Sequence, residues 1–199
     1  ELELKYMCML DADDWYYPTK LAFQFEFMEK HSDIALLSSA IGVTNKQQEL
    51  FRVIKPFKEK QLLKFDDYHK YITLPHASSI IRVSSIEDGL SYNFYLKLSQ
   101  DQDFLIRLLI HKYYVFDPKI QYIYNREDSF SIQKYRKSIH YNFLSFKNLE
   151  LGKKADTFYF MKNKIKYRIV WLLSLFNLQQ IYLSNVGINP THSELIEFK

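Results

Sequence analysis

Three carboxylates, Asp11, Asp13 and Asp14, stand directly behind the apolar run Tyr6–Leu10. Like charges this close repel one another, and a divalent cation neutralises them with least rearrangement. All-oxygen ligands suit Mg²⁺ or Mn²⁺, ions that keep open positions for phosphate oxygens. A second acidic pair, Asp101 and Asp103, opens the segment Gln100–Arg107. A carboxylate held beside a hydroxyl can serve as a general base. Acidic residues in a first helical turn also stabilise the helix itself, so one aspartate can cap while the other does chemistry. A third group, Tyr122–Ser131, brings aromatic, cationic and hydroxyl side chains together around Arg126. His76, just before an apolar segment, is a supporting candidate, as are Asp14 and Asp103.

The elements that must hold these groups follow from hydrophobic spacing. Tyr6–Leu10 is apolar without alternation, the pattern of a strand buried on both faces of a parallel sheet. Ligands of open α/β sheets bind beyond the carboxyl ends of such strands, which is where Asp11 falls. Pro18 then opens a helix through Lys30, with Leu21, Phe25 and Met28 on one face. Ile34–Val43 reads as a strand, Glu59–Lys64 as a weak helix and Ala77–Val83 as a strand. Asp101–Lys112 reads as a second helix, with Phe104, Leu105, Leu108 and Leu109 inward. Tyr113–Phe116 and Ile120–Tyr124 read as short strands on either side of Asp117-Pro118-Lys119. Helical patterns return from Tyr135 to about Leu151 and over Phe158–Asn177. Strands alternating with helices indicate the α/β class.

The 199 residues allow one domain with a sizeable core plus an appendage. Gly and Pro number only four and five, which argues against a disordered chain. Cys8 is the single cysteine; no disulfide framework can form within the chain, and a reducing compartment is expected. Ile169–Phe176 is too short an apolar run to span a bilayer, and the acidic N-terminus does not resemble a signal peptide. Residues 1–33 carry eight acidic and three basic side chains, whereas residues 131–168 carry ten basic and two acidic. The acidic end suits a cation and the basic end suits an anionic surface. Nucleic acid is not expected, because no nucleic-acid-binding module is recognisable.

Three chemistries were open for Asp11–Asp14. A calcium loop of the EF-hand type fails, because Trp15 and Tyr16 occupy places that need oxygen ligands and a glycine. A phosphatase of the haloacid dehalogenase type also follows a strand with Asp-x-Asp, but Asp14-Trp15 matches its continuation poorly. A nucleotide-sugar site, in which the carboxylates hold a metal bridging the donor's diphosphate, is the third.

Met9-Leu10-Asp11-Ala12-Asp13-Asp14-Trp15, followed by Pro18, Lys20-Leu21 and Gln24, resembles the metal-site block of the family 2 glycosyltransferases of the GT-A fold. Ser78-Ser79-Ile80-Ile81-Arg82 resembles the family's serine-rich strand ending in arginine. Asp101-x-Asp103 with Arg107 resembles its acidic helix start, and Tyr124-Asn125-Arg126 with Ser129 and Ser131 resembles its acceptor-side loop. Gln100, Asn125 and Glu127 depart from the common pattern. The resemblance implies that Asp11 contacts the donor's ribose or sugar and that Asp13 ligates Mn²⁺ or Mg²⁺ on the diphosphate. It also implies that Asp101 deprotonates the acceptor and that Arg126 lies near the diphosphate or acceptor.

The resulting expectation is an α/β fold: an incomplete GT-A, Rossmann-like sheet with flanking helices over residues 1–132, and a helical, basic C-terminal extension over 133–199. The family's first half, with its nucleotide-base pocket, has no counterpart in the sequence, so the chain is expected to be a C-terminal portion. The implied activity is inverting transfer from a nucleotide sugar, such as a UDP-sugar, to a saccharide or lipid-linked acceptor in surface polysaccharide synthesis. The implied setting is the cytoplasm, with peripheral contact to the inner face of the membrane through residues 160–177. A non-catalytic remnant that binds only a membrane or a partner is the competing expectation.

Overall fold

The computed structural model describes residues 4–45, 47–64, 74–125, 132–148, 153–176, 178 and 187–198. Its centre is a parallel pair of long strands, β3 (Ile34–Thr44) and β7 (Tyr113–Asn125). Every residue of β3 is buried, as expected for a strand covered on both faces. The other edge of β3 takes two antiparallel partners in succession, β6 (Ile80–Arg82) at Leu36–Leu37 and β4 (Leu50–Ile54) at Ile41–Thr44. The other edge of β7 likewise takes β5 (Gln61–Lys64) along its first half and β2 (Trp15–Tyr16) along its second. The two-residue β2 thus clamps the acidic turn to the middle of the sheet.

Two helices cover opposite faces. Helix α1 (Lys20–Lys30) contributes Met28 to a core layer with Ile34, Leu37, Ile80 and Val115. Helix α2 (Gln100–Leu109) sends Phe104, Leu105, Leu108 and Leu109 against Leu36, Ala40, Phe116 and Ile123. Leu36 and Leu37 therefore serve opposite layers, as strand alternation requires. Gly42 lets β3 approach its neighbours closely: a Cβ there would stand 2.9 Å from Leu50 Cδ1 and 3.0 Å from Ile123 Cδ1.

Several expectations are corrected. The first strand, β1 (Tyr6–Cys8), is short and half-buried, and it pairs antiparallel with β6 rather than lying inside a parallel sheet. An apolar run reports burial, not strand direction. Helix α1 buries Lys20, Gln24 and Met28 and leaves Leu21 and Phe25 about half exposed. Polar partners beneath it, described below, select that face. Residues 61–64 form a strand rather than a helix, because β7 offers a free edge there. The expected strand Ala77–Val83 shrinks to β6, since Ala77–Ser79 belong to a turn. The two short strands around Pro118 are one strand, β7, whose pairing slips between Asp117 and Ile120. Strands β2 and β4 went unread in the sequence.

Helices α3 (Ile132–Asn148) and α4 (Lys153–Leu175) follow, and α5 (His192–Phe198) closes the chain. The last segment returns to the sheet. Val53 and Ile188 exchange backbone hydrogen bonds, Lys55 pairs with Glu194 at 2.7 Å, and Tyr17 Oη donates to the Glu197 carbonyl. Among the described residues no helix is long and apolar enough to cross a membrane.

Arg82 ties three elements together. Its guanidinium donates to the carbonyls of Ile34 (3.0 Å), Met28 (2.7 Å) and His31 (2.8 Å), satisfying the C-terminal end of α1 and the start of β3. Arg82→Gln is expected to destabilise the fold by about 3 kcal/mol, because several charge-assisted bonds vanish at once. Urea denaturation measures this; a change within about 0.5 kcal/mol would assign Arg82 no structural role.

Candidate active site

The acidic turn is built around its one buried member. The Asp14 carboxylate accepts a hydrogen bond from Tyr122 Oη at 2.7 Å and another from the Asn125 N–H at 2.9 Å. The same tyrosine oxygen accepts the Asp11 N–H at 3.3 Å, and the Asp14 N–H donates to the Asp11 carbonyl at 3.2 Å. Tyr16, on β2, donates to the Met9 carbonyl at 2.8 Å. Burial raises the Asp14 pKa, the two hydrogen bonds oppose it, and the nearby Asp13 and Asp11 charges reinforce it. Burial also pushes the Tyr16 phenol up to about 12, so both tyrosines stay protonated donors at neutral pH.

This divides the three carboxylates. Asp14 is consumed by the sheet, whereas Asp11 and Asp13 remain exposed at the tip. Among the described residues no group of three or more His, Cys, Asp or Glu side chains is gathered around a metal position. Two exposed carboxylates do suit Mg²⁺ or Mn²⁺, which commonly take one or two protein carboxylates and complete their shell with water and substrate phosphates.

The wall beside the turn comes from residues 75–79. Ser78 Oγ donates to the Ser39 carbonyl at 2.5 Å, and Ser38 and Ser79 both donate to the Pro75 carbonyl, at 2.9 and 2.8 Å. Gln24 reaches from α1 to the Ser78 carbonyl at 2.8 Å. Beside it, Lys20 is fully buried with its Nζ 4.1 Å from the centre of the Tyr16 ring. These polar partners explain the unexpected inner face of α1. The serine block and Gln24, quoted above as motif residues, thus hold the segment carrying His76 in place.

His76 is packed edge-on against Tyr92 and Phe104, and its Nε2 lies 3.2 Å from Tyr92 Oη. Burial lowers its pKa, while the charges of Asp101 and Asp11 act to raise it. The charges of the turn after β1 and of the first turn of α2 thus both bear on one imidazole. Burial raises the Tyr92 pKa, and the charge of Asp101 adds to that shift. Asp101 is half-buried, and the chain enters its helix through Ser99 in the left-handed region at φ 63°. That conformation costs a β-carbon residue about 1–2 kcal/mol.

Asp103 plays a different part. It is 1% exposed and accepts from Arg107 Nε (2.9 Å) and from an Arg107 terminal nitrogen (2.7 Å). Arg107 in turn donates to the Ser91 carbonyl at 2.7 Å and so anchors the loop that carries Tyr92. Arg126, Ser129 and Ser131 lie outside the described residues. Sequence reading missed Tyr92, which looks like one more aromatic in an aromatic-rich chain; it included Tyr122 in the third group, and only the fold shows that its hydroxyl holds Asp14.

The low pKa of His76 has a pH consequence. The unfolded chain takes up an imidazole proton near pH 6.5, and the folded chain takes it up only at lower pH. More protons are bound by the unfolded state in that window, so this group's stability contribution is full above it and falls on acidification. His76→Phe is expected to flatten the fall of the urea midpoint between about pH 7 and about pH 5; an unaltered slope would show that other groups set it.

Comparison with known proteins places these features in context. No family model matches the chain. It is 36% identical over 112 residues to an uncharacterised glycosyltransferase of Methanocaldococcus jannaschii; the match spans 55% of this chain and 37% of that protein. Among solved structures it is similar to S. aureus TarS (residues 1–349) in complex with UDP, with a TM-score of 0.50 and 15% identity. That match covers 81% of this chain and 46% of TarS, so the chain spans less than half of either protein. At such low identity the likeness to TarS is one of fold: the mixed α/β sheet with flanking helices.

Proposed function

We propose that this chain carries the acceptor-side half of an inverting glycosyltransferase of the GT-A, family 2 type. The observation that supports this most directly is the acidic turn, in which Tyr122 and Asn125 hold Asp14 inward and leave Asp11 and Asp13 exposed at the tip. The charges of Asp11 and Asp101 both bear on His76, which supports reading the turn and the candidate base as parts of one site. The homologue named a glycosyltransferase supports the same class.

In this reading Asp13 would hold Mn²⁺ or Mg²⁺ at the donor's diphosphate, and Asp11 contacts the sugar or ribose. When bound, the ion supplies positive charge to the departing nucleoside diphosphate. Asp101 accepts the proton of the acceptor hydroxyl as its oxygen bonds to the anomeric carbon. The bond from that carbon to the diphosphate breaks, and the electron pair leaves with the nucleotide. Attack opposite the leaving group inverts the configuration. Asp14, Tyr122 and Asn125 are positioning groups for the turn, as Asp103 and Arg107 are for the loop bearing Tyr92. The UDP held by TarS makes a UDP-sugar the first donor to test. The acceptor is a saccharide or lipid-linked glycan of the cell surface.

Helix α4 supports work at a membrane. Met161, Ile165, Ile169, Leu172 and Phe176 form an exposed apolar stripe at helical spacing, and Lys162, Lys164, Lys166 and Arg168 lie within and beside it. An apolar stripe with basic neighbours suits the surface of an anionic bilayer.

The catalytic reading is tested with the full-length protein, Mn²⁺ and a panel of nucleotide sugars. One donor should be cleaved, Asp13→Ala should abolish cleavage, and Asp101→Asn should slow transfer by about 10²–10⁴-fold while leaving UDP binding intact. Cleavage of no donor by the folded protein would favour the non-catalytic remnant, and metal-dependent hydrolysis of p-nitrophenyl phosphate instead would favour the phosphatase. For the membrane, the protein should co-sediment with phosphatidylglycerol vesicles and not with phosphatidylcholine ones. Ile165→Asp with Leu172→Asp should release it; undiminished sedimentation would reject α4 as the contact.

A further inference from the structure

A cavity that the reaction outlined above does not use opens just before the start of α2. It has a volume of about 900 Å³ and is lined by Lys97 and Leu98 on one side and by Gln133, Arg136, Lys137, His140 and Tyr141 of α3 on the other. Lys97 and Leu98 immediately precede the turn into α2. Ser99 Oγ lies 3.5 Å from Ser138 Oγ, so the start of α2 and the middle of α3 are held together. Asp101 is two residues further along.

Among the described residues the lining carries Lys97, Arg136, Lys137 and His140 and no carboxylate. All four are exposed at its rim, where their combined charge attracts an anion. Arg136 has its guanidinium 5.9 Å from the centre of the Tyr167 ring of α4, a contact that restrains the side chain. Planar guanidinium and ammonium groups together suit a phosphate. The volume lies at the upper end of the range for small-molecule sites and far exceeds one phosphate ion. Leu98, Tyr141 and the aliphatic stems give the rest of a ligand an apolar wall. Phe94 and Tyr95, 86% and 92% exposed, stand just upstream of Lys97.

From this juxtaposition we infer that the cavity binds a phosphate carried by the acceptor, so that the acceptor is a phosphorylated saccharide or amphiphile rather than a neutral glycan. The assignment rests on the transferase reading in one respect. The donor's diphosphate belongs to the Asp11–Asp13 turn, and the molecule that must reach Asp101 from the α3 side is the acceptor.

Binding to the full-length protein is measured calorimetrically without donor or metal, using hexyl phosphate, glucose 1-phosphate, inorganic phosphate and hexyl glucoside. Hexyl phosphate or glucose 1-phosphate should bind, and hexyl glucoside should not. Arg136→Gln with Lys137→Gln should weaken the phosphate ligand by about tenfold or more, the loss of at least one charge-assisted hydrogen bond. Lys97→Gln, on the opposite wall, should weaken it as well and serves if the double variant does not fold. Lys30→Gln with Lys58→Gln, exposed lysines that do not line the cavity, should leave it unchanged. Equal affinity in the pocket variants, or glucoside binding as tight as phosphate, overturns the proposal. So does pocket-dependent binding to phosphatidylglycerol vesicles with no binding of the soluble phosphates, which would make the anion a lipid headgroup. UDP with Mn²⁺, titrated into separate samples of the same variants, separates the two readings. UDP binding that persists in every variant while phosphate binding is insensitive to them defeats the pocket alone, and loss of UDP binding in the wild type defeats the donor site alone.

Discussion

A buried carboxylate, Asp14, organises the functional end of this molecule. It sits at the inner side of a tight turn and receives one hydrogen bond from a tyrosine hydroxyl and one from a backbone amide, both on β7. A charge so placed is costly to bury without such partners, and removing either would leave it uncompensated. The consequence is geometric. With Asp14 held inward, Asp13 and Asp11 face outward at the tip, and Tyr122 fixes the backbone of Asp11 through the same oxygen that serves Asp14. One buried ionisable side chain thus sets the direction of two exposed ones.

The scaffold behind that turn is economical. Two long parallel strands form the middle of the sheet, and four short antiparallel strands fill their outer edges. Two of these short strands serve the site: β2 holds the turn, and β6 follows the serine block that carries His76. The serine hydroxyls of residues 75–79 bind backbone carbonyls of that segment and of β3, so a loop becomes nearly as fixed as a strand. Rigid support of this kind is what keeps catalytic or binding side chains in productive geometry.

Motif chemistry was legible in the sequence to differing degrees. The turn Asp11–Asp14, the helix start at Asp101 and the long strand Ile34–Val43 could be read directly, because each rests on local spacing. The division of labour within the motifs could not. Asp103 and Asp101 are two residues apart with the same side chain, yet Asp103 is enclosed with Arg107 and Asp101 lies near His76. Lys20 and Gln24 sit on a helix whose apolar spacing pointed elsewhere; buried partners on β2 and the serine block turned that face inward. Residues 61–64 have weak local preference, and a neighbouring strand edge decided their state.

By itself the sequence determined the α/β class, the acidic turn behind a strand, the positions of α1 and α2, and the basic character of the C-terminal helices. All of these follow from short-range periodicity and charge. Only the tertiary structure decided which carboxylates are buried, that β1 is an edge strand paired antiparallel, that Asp11 and Asp101 act on one histidine, and that Lys97 meets α3 around a cationic cavity. Those outcomes depend on contacts between residues far apart in the chain, and no local pattern of side chains encodes them.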